Sequence, residues 1–374
     1  MVQPRGSAFQ KMANASNISQ SSPLRRWVRP KAVLATALLA ELLAWWLLRG
    51  DLWRTLGLGW QFWLLVAAGA CIVTLAVSAG IWFVRRRLQF GLRTLLVLVL
   101  LVGTTLGLIG MHLQTTEKQR RAAAALDKIG AGVSYAGENQ PGLLTFAGRE
   151  YFQQPIAVGF QGPLREEDLA NIEVLSGLEF LSLSNSQLSD ADMAHFSSLR
   201  RLCTFHLVRS RATGSGLRHL KAANLRSLDL CWSPIDDDGL KYVGQLSTLT
   251  VVNLNRTRIT DAGLAHLATL DELSSLYLDI TKVTGEGFVH LRQLRHLQQI
   301  SLTWTGIGNA ELVHLRELPE LNSLNLSNTS IDDGGVETLC GMSGLQTLRL
   351  HGTDITEQGI HQLQQALPNC QIQH

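Results

Sequence analysis

The chain contains 374 residues, of which 46% are hydrophobic and 17% charged, and its formal net charge is +3 at pH 7. A balance this small, divided between basic clusters and a mixed surface, does not suggest nucleic-acid binding. The five cysteines follow no spacing typical of a disulfide framework or a metal site. Cys71 lies in an apolar stretch, and for Cys340 and Cys370 buried free thiols are favoured over a bridge between the two.

The first 113 residues combine a polar tail with three apolar stretches. Residues 1–30, rich in Ser, Asn and Gln over the first 22 positions, are predicted to form a disordered cytoplasmic tail. The stretches 62–84 and 94–113 reach the ~20 residues that cross a bilayer and contain no charged residue, so each predicts a transmembrane helix. The stretch 32–48 is shorter and contains Glu41, which leaves open a short span, an interfacial helix or an uncleaved signal-anchor. Residues 31–113 are therefore predicted to be a transmembrane region with two or three spans.

Basic residues beside the spans predict the orientation of the chain. The loop between the second and third spans contains Arg85, Arg86, Arg87 and Arg93 and no acidic residue, so we expect this loop in the cytoplasm. The third span then carries everything after residue 113 to the other side of a cytoplasmic membrane. Within that span, Gly103 and Gly107 form a G-x-x-x-G pattern, which is read either as a homodimer contact or as ordinary membrane-helix glycine.

Residues 114–154 connect the spans to the C-terminal part of the chain. The part up to about 130 has high helix propensity and predicts a helical stalk that extends the third span. The remainder, which is rich in glycine, is interpreted as a linker or an N-terminal cap.

A 24-residue repeat occupies the chain from Leu178 to the C-terminus, with one step of 23 residues. Its register is clearest in the phrase L-x-x-V-x-L-x-x-T-x-I-T-D-x-G-L-x-x-L, which begins at Leu249. Eight full copies share this frame, and they begin at Leu178, Leu202, Leu225, Leu249, Leu273, Leu297, Leu321 and Leu345. Irregular copies at both ends, around Val158 and Ile372, are interpreted as caps, so the repeat domain is predicted to span residues 155–374.

One copy cannot bury its own apolar face. Val252 and Leu254 alternate along a short strand, while Leu264 and Leu267 lie three residues apart on a short helix. Stacked copies bury both faces by pairing their strands into a parallel sheet and packing their helices behind it. The predicted class is therefore α/β, a solenoid with a parallel sheet on its concave face.

Two polar positions recur at the turns of the repeat. We expect the hydroxyl that follows each strand to hydrogen-bond turn backbone, at Ser186, Ser210, Ser233, Thr257, Thr281, Thr305, Thr329 and Thr353. We expect aspartates near the helix starts to accept hydrogen bonds from free backbone amides, at Asp190, Asp237, Asp261 and Asp333.

The turn T-x-I-T-D-x-G-L, from Thr257 to Leu264, resembles the leucine-rich repeats of F-box-type substrate adaptors and of many bacterial membrane-anchored proteins. The resemblance covers about residues 155–374 and implies a horseshoe-shaped leucine-rich-repeat domain. No F-box is recognisable in the first 150 residues. The phrase F-G-L-R-T-L-L from Phe90, followed by a span and the G-V-S-Y segment, is similar to the layout of the bacterial anchored proteins.

The concave face of the predicted sheet, here called the sheet face, is the candidate binding surface because its outward positions are free to vary. Arginine and aromatic side chains, which supply much interface energy, concentrate there. The candidate ligand-binding residues are His206, Arg209, Asp229, Trp232, Arg256, Tyr277, Asp279 and Trp304. A second interpretation is that Trp232 and Trp304 fold over the strand edge, with Arg209 and Arg256 stacking on Trp232.

No catalytic, metal or cofactor site is predicted. The P-loop, G-x-S-x-G and H-E-x-x-H motifs are absent, and Asp229 and Asp279 lie two copies apart with no evident partner. Histidines recur at one helix position, at His195, His219, His266, His290 and His314. Adjacent packed helices lie about 8–10 Å apart, too far for two ligands of one zinc, so these rings are interpreted as packing between helices.

Two classes of function remain. In the first, a multi-pass protein of a bacterial cytoplasmic membrane displays the repeats on the non-cytoplasmic side for a protein or cell-envelope ligand. In the second, the repeats pack laterally on another membrane protein or on a second copy of the chain. An intracellular ubiquitin-ligase-type adaptor is a third interpretation that depends on repeat similarity alone.

Overall fold

The computed structural model describes residues 92–136 and 154–374. The chain divides into two compact units, Met1–Gln114 and Thr115–His374. The tail 1–30 and the predicted spans 32–48 and 62–84 lie outside the described residues, as does the segment 137–153.

The third predicted span lies in helix α1, Leu92–Lys128. From Val99 onward this helix is long and apolar enough to cross a membrane, judged by length and composition. In the first unit its large apolar side chains are exposed by 40% to 63%, at Val99, Leu100, Leu101, Leu106, Leu108 and Met111. The hydroxyls of Thr104 and Thr105 donate to carbonyl oxygens one turn earlier, so neither hydroxyl needs a partner outside the helix.

In the second unit, the end of α1 is part of the core. Thr116, Gln119, Ala123 and Leu126 are buried at helical spacing. Gln119 Nε2 donates to the carbonyl oxygen of Val174 at 3.3 Å. The segment interpreted from sequence as a stalk is therefore a helix whose inner face packs on the start of the repeat domain.

The repeat domain is built on one 11-stranded sheet whose strands follow chain order. β1 pairs with β2 in the antiparallel sense and every later pair is parallel. The strands are β1 Gly132–Tyr135, β2 Pro155–Gln161, β3 Phe180–Ser184, β4 Thr204–Val208, β5 Ser227–Asp229, β6 Val251–Asn253, β7 Ser275–Tyr277, β8 Gln299–Ser301, β9 Ser323–Asn325, β10 Thr347–Arg349 and β11 Gln371–Gln373. This order confirms the leucine-rich solenoid with a long parallel sheet.

Behind the sheet, each strand from β2 to β10 is followed by a short helical segment, α-helical in some copies and 3-10 in others. The α-helices are α2 Glu166–Val174, α3 Asp237–Val243, α4 Asp261–Leu264, α5 Leu312–Arg316, α6 Val336–Cys340 and α7 Glu357–Ala366. The 3-10 segments are Asp192–Ser198, Ser215–Leu220, Ala265–Thr269, Glu286–Gln293 and Asp333–Gly335. Two of them follow Gly214 and Gly285, which have left-handed φ values of 108° and 107° and supply no side-chain cap.

The core has the composition that the repeat predicts. Val252, Leu254, Leu264 and Leu267 are fully buried, as are the equivalent residues of most other copies. Each buried leucine stabilises the fold by roughly 1.5–3 kcal/mol relative to exposure. These leucines are buried only when the copies are stacked on one another, because the inward face of each copy is covered by its neighbours.

The recurring hydroxyl caps the turn after the strand in most copies. Thr257, Thr281, Thr305, Thr329 and Thr353 each donate from Oγ1 to the carbonyl oxygen three residues earlier, at 2.6 or 2.7 Å. Ser233 donates instead to the carbonyl of Leu207 in the preceding copy at 3.0 Å. Ser186 Oγ is buried without a hydrogen-bond partner in the described structure. The prediction holds for the threonines and for Ser210, whose Oγ accepts from the N–H of Ala212 at 3.2 Å, and it is wrong for Ser186.

The recurring aspartates have different partners from those predicted. Asp237 accepts hydrogen bonds from the N–H of Thr260 at 2.9 Å and from its hydroxyl at 2.6 Å, one copy further along the chain. Asp190, Asp261 and Asp333 make the equivalent bonds to the next copy. The start of α3 is capped by the preceding residue, Asp236, which accepts from the N–H of Gly239. The aspartates therefore join neighbouring copies rather than capping their own helices.

Candidate ligand-binding face

The residues that leave the strands on the sheet face share one unusual backbone conformation. Their φ values lie between 53° and 69° in all eight copies, at Asn185, Arg209, Trp232, Arg256, Ile280, Trp304, Asn328 and Gly352. This left-handed region suits glycine and asparagine and costs other residues roughly 1–2 kcal/mol. It is a genuine outlier for the β-branched Ile280. We call these eight residues the left-handed column.

The centre of the column carries large side chains that contribute little to the core. Trp232 is 45% exposed, Ile280 is 38% exposed and Trp304 is 62% exposed. Five consecutive copies, from that of Arg209 to that of Trp304, therefore have a bulky residue at the column position. Backbone strain disfavours such residues there, and burial of their side chains does not offset the strain. Strain that packing does not explain is typical of functional surfaces.

Trp232 lies between two arginines from the copies on either side. The guanidinium carbon of Arg209 lies 4.7 Å from the centroid of the indole ring. The guanidinium carbon of Arg256 lies 3.9 Å from it. Both distances are within the range of cation–π contacts. Arg209 and Arg256 therefore stack on Trp232, as the second sequence interpretation predicts. All three side chains nevertheless remain exposed, so the stack lies on the surface.

The outward strand positions next to the column are mainly polar and hydrogen-bonded. The ring of His206 packs edge-to-face on Phe180 with the centroids 5.2 Å apart. Asp229 Oδ1 accepts from the N–H of Cys231 at 2.9 Å. Asp279 Oδ1 accepts from the N–H of Thr303 at 2.8 Å and from the hydroxyl of Ser301 at 2.6 Å. Both aspartates therefore have partners, contrary to the prediction, because backbone amides at the strand ends lie beside them.

A shallow cavity of about 340 Å³ opens on the sheet face beside Asp279. Its lining is mostly polar and includes Asn253, Tyr277, Asp279, Ser301, Asn325 and Arg349. Arg349 is fixed by a hydrogen bond from its Nε to Gln373 Oε1 at 2.9 Å. The lining of the cavity begins at Asn253 and Asn255, directly before Arg256, so the cavity and the stack around Trp232 are neighbours on the same face.

Cys231 directly precedes Trp232 of the column and carries a free thiol. Burial, and to a smaller extent the carboxylate of Asp229, raise the pKa of its thiol to about 11, although Arg256 and Arg209 offset part of the increase. At neutral pH the thiol is therefore protonated and a poor nucleophile.

The packing interpretation predicts half-buried rings for the recurring histidines, and four of the five have them. His195, His219, His266 and His314 are half-buried, whereas His290 is exposed. His195 Nδ1 lies 2.7 Å from Glu173 Oε2 of the preceding copy. Among the described residues, no group of three His, Cys, Asp or Glu side chains is placed to hold a metal ion. Cys340 and Cys370 are free thiols, each partly buried.

The structure thus brings His206, Arg209, Asp229, Trp232 and Arg256 onto adjacent strands, with Tyr277, Asp279 and Trp304 further along the same face. Sequence reasoning missed the contribution of Arg349 and Asn325 to the cavity. Their strand register could have identified them, since Asn325 and Arg349 pair with each other and Ser301 pairs with Asn325. It also did not predict the left-handed backbone conformation of the column, although Asn185, Asn328 and Gly352 occupy it.

Comparison with known proteins agrees with this architecture. Residues 221–244, 245–268 and 319–340 match a family model described as a leucine-rich repeat. The chain contains leucine-rich repeats. Such repeats indicate protein–protein recognition.

Two solved structures show a partial likeness to the chain. The crystal structure of internalin InlF from Listeria monocytogenes is 22% identical, with a TM-score of 0.47, and the match covers 57% of this chain and 58% of that one. The internalin C2 structure from the same organism is 23% identical, with a TM-score of 0.43, and the match covers 56% of this chain and 84% of that one. The chain thus spans little more than half of the first structure. No curated protein matches it.

Proposed function

We propose that this chain is a membrane-anchored binding protein that displays its leucine-rich repeats on the non-cytoplasmic side for a protein or cell-envelope ligand. The observation that carries the proposal is the left-handed column. In five consecutive copies, from that of Arg209 to that of Trp304, the column residue is bulky, has a strained left-handed backbone and has its side chain exposed on one face. A surface selected for stability alone would have glycine or asparagine at these positions.

Helix α1 supports the membrane part of the proposal. Val99, Leu100 and Leu101 are consecutive, so they point in different directions around the helix, and each is more than half exposed. A helix with apolar side chains on all sides requires an apolar environment, such as a bilayer or other protein. The predicted arginine loop before the helix supports the orientation.

A second candidate function is lateral packing of the repeats within a membrane complex. It is favoured by Val289 and Val313, which occupy equivalent positions on the helical side of neighbouring copies and are 36% and 45% exposed. This apolar surface is small beside the aromatic and cationic sheet face, and surface valines in ones or twos are ordinary. Recognition through the sheet face is therefore the better-supported function.

Site-specific photo-crosslinking in intact cells tests the choice of face. A photoreactive residue replaces Tyr277 on the sheet face or, as the matched control, Val313 on the helical side. We expect a specific adduct from position 277 only. Adducts from position 313 alone would support lateral packing and contradict the proposal. Trp232→Ala should reduce adduct formation at position 277 with little loss of thermal stability, because the side chain is exposed.

The orientation requires its own measurement. A reporter cysteine at Ser182, in a variant without the native cysteines, should react with a membrane-impermeant maleimide in intact cells. Labelling only after lysis would place the repeats in the cytoplasm and would favour the intracellular adaptor.

A further inference from the structure

The guanidinium groups beside Trp232 have no carboxylate partner. In the described part of the chain, neither Arg209 nor Arg256 forms an ion pair or a side-chain hydrogen bond. Other arginines of the repeat domain do pair, at Arg165, Arg201 and Arg292. A guanidinium can donate five hydrogen bonds, so two of them side by side form a strong unoccupied donor surface. Their contacts with the indole fix their positions without using their N–H groups.

The negative charges nearby lie deeper than these donors. Asp229 and Asp279 are half-buried, whereas Arg209, Trp232 and Arg256 are exposed. Oδ1 of each aspartate is occupied by a backbone amide. An approaching ligand therefore meets cationic and aromatic groups first, although the four charges sum to zero.

We propose that the Arg209–Trp232–Arg256 stack binds an acidic segment of a partner protein, with one carboxylate on each guanidinium and an apolar or small residue against the edge of the indole. This inference rests on the proposed function, in which the sheet face binds a partner. It adds the chemical class of that partner and the residues that select it. Planar, bidentate pairing with carboxylates is the chemistry that favours arginine over lysine at such positions.

The spacing of the stack fits alternate residues of an extended chain. The two guanidinium carbons lie 4.7 and 3.9 Å from the same ring centroid, so their separation cannot exceed those two distances together. Side chains two residues apart on a strand are about 6.6 Å apart and point to the same side. That spacing lies within the upper bound set by the two ring contacts, so we expect a segment with acidic residues at positions i and i+2 to reach both arginines.

Binding of a labelled acidic peptide to the full-length protein in uncharged detergent tests the proposal. The probe is deca-glutamate carrying an uncharged fluorophore, followed by fluorescence anisotropy, with deca-lysine and heparin as alternative probes. We expect deca-glutamate to bind and deca-lysine not to bind. The affinity should fall as salt screens the exposed arginines. Arg209→Gln with Arg256→Gln should weaken binding by about tenfold or more, as is usual for arginine hot spots.

Matched variants separate the site from the overall charge of the protein. Arg218→Gln with Arg295→Gln removes the same charge from exposed positions on the helical side and should leave binding unchanged. Arg209→Lys with Arg256→Lys keeps the positive charge but removes the planar guanidinium that pairs with a carboxylate through two hydrogen bonds. Its affinity should therefore lie between those of the wild type and of the Arg209→Gln, Arg256→Gln variant. Equal loss in both glutamine pairs would mean non-specific attraction and would overturn the proposal.

The remaining outcomes distinguish this inference from the proposed function. Deca-lysine binding, or heparin binding without deca-glutamate binding, would assign the face to a basic or an anionic-glycan ligand and overturn the acidic segment. If a partner still crosslinks at position 277 but the arginine-to-glutamine pair does not affect it, the acidic-segment inference fails and the proposed function stands. Absence of any crosslink at position 277 when Arg209 and Arg256 are both present contradicts the proposed function itself.

Discussion

The carboxylate of Asp261 accepts a hydrogen bond from the backbone N–H of Gly287, one repeat copy further along the chain, at 3.0 Å. It also accepts from the N–H and the hydroxyl of Thr284 and from the N–H of Gly285. Asp190 makes the same set of contacts with Thr213, Gly214 and Gly216. Each of these two side chains thus binds the turn that opens the next helical segment, and we call this arrangement the carboxylate clamp.

Asp261→Asn should weaken the junction between two copies. The amide NH₂ group cannot accept the bonds from Thr284, so we expect the free energy of unfolding to fall by about 2 kcal/mol. Urea denaturation followed by circular dichroism measures the change. Asp238→Asn is the control, since that carboxylate is exposed and pairs only with Lys241. An equal effect of both substitutions would contradict the role of the clamp.

The clamp also predicts a pH dependence. Burial raises the pKa of Asp261, but the hydrogen bonds from Gly287, Thr284 and Gly285 outweigh burial and hold this pKa below the ordinary aspartate value. Since the folded-state pKa is lower than the unfolded-state pKa of about 4, the contribution is fully present above that pH. It is lost as pH falls through the folded-state value. The difference in stability between wild type and Asp261→Asn should therefore shrink at acid pH, and a constant difference would contradict the clamp.

Gly287→Ala should destabilise the same junction for a steric reason. A Cβ at this position would lie 2.5 Å from the carbonyl oxygen of Asp261, which is backbone and cannot rotate away. We expect a loss of about 2–3 kcal/mol, measured by thermal unfolding. Gly159→Ala is a suitable control because its Cβ would meet no atom within 4 Å. Unchanged stability of Gly287→Ala would show that the copies can separate without cost.

Ser186 and Thr281 occupy equivalent positions but should respond differently when the hydroxyl is removed. Thr281 Oγ1 donates to the carbonyl of Leu278 at 2.7 Å. Thr281→Val should therefore cost about 1 kcal/mol. Ser186 Oγ has no partner in the described structure, so Ser186→Ala should be neutral or stabilising. Chemical denaturation of the two variants provides the comparison, and a larger loss for Ser186→Ala would imply a bound water at that hydroxyl.

Ile280 should be replaceable with a gain in stability. Its φ of 55° is tolerated better by asparagine, so Ile280→Asn should raise the free energy of unfolding by about 1 kcal/mol. Ile280→Val keeps the β-branched strain and should change little. Differential scanning calorimetry distinguishes the two. If Ile280→Asn is destabilising, burial of the side chain outweighs the backbone strain, and the case for a functional column weakens.

The repeat register, the strands and most of the core follow from the sequence alone. Leucines such as Leu254 and Leu278 recur at one spacing, and only stacked copies can bury them all. The threonine turns were equally predictable, because Thr257 and Thr281 have a donor beside an unpaired carbonyl. At these positions the local hydrogen-bonding groups and the repeat period predict the same structure.

The partners between copies were not predictable in the same way. Asp237 is the first residue of α3, so its local sequence suggests a capping role, but its carboxylate accepts hydrogen bonds from Thr260 of the following copy. Only the distance between stacked turns decides between these two roles, and sequence spacing does not contain that distance. The stack around Trp232 was not predictable from local sequence for the same reason, because its two arginines come from neighbouring copies.

Gly214 and Gly285 occupy the position that a clamp aspartate occupies in other copies, so in the described residues the clamp is missing at the two junctions that follow them. A linear array unfolds first where the coupling between neighbours is weakest, so we expect these junctions to divide the repeats into three cooperative blocks. The first weak junction lies between the copies of Arg209 and Trp232. A ligand that contacts both Arg209 and Arg256 would strengthen the coupling between the copies on either side of this junction. The two blocks would then unfold in one transition when the sheet face is occupied and in separate transitions when it is empty.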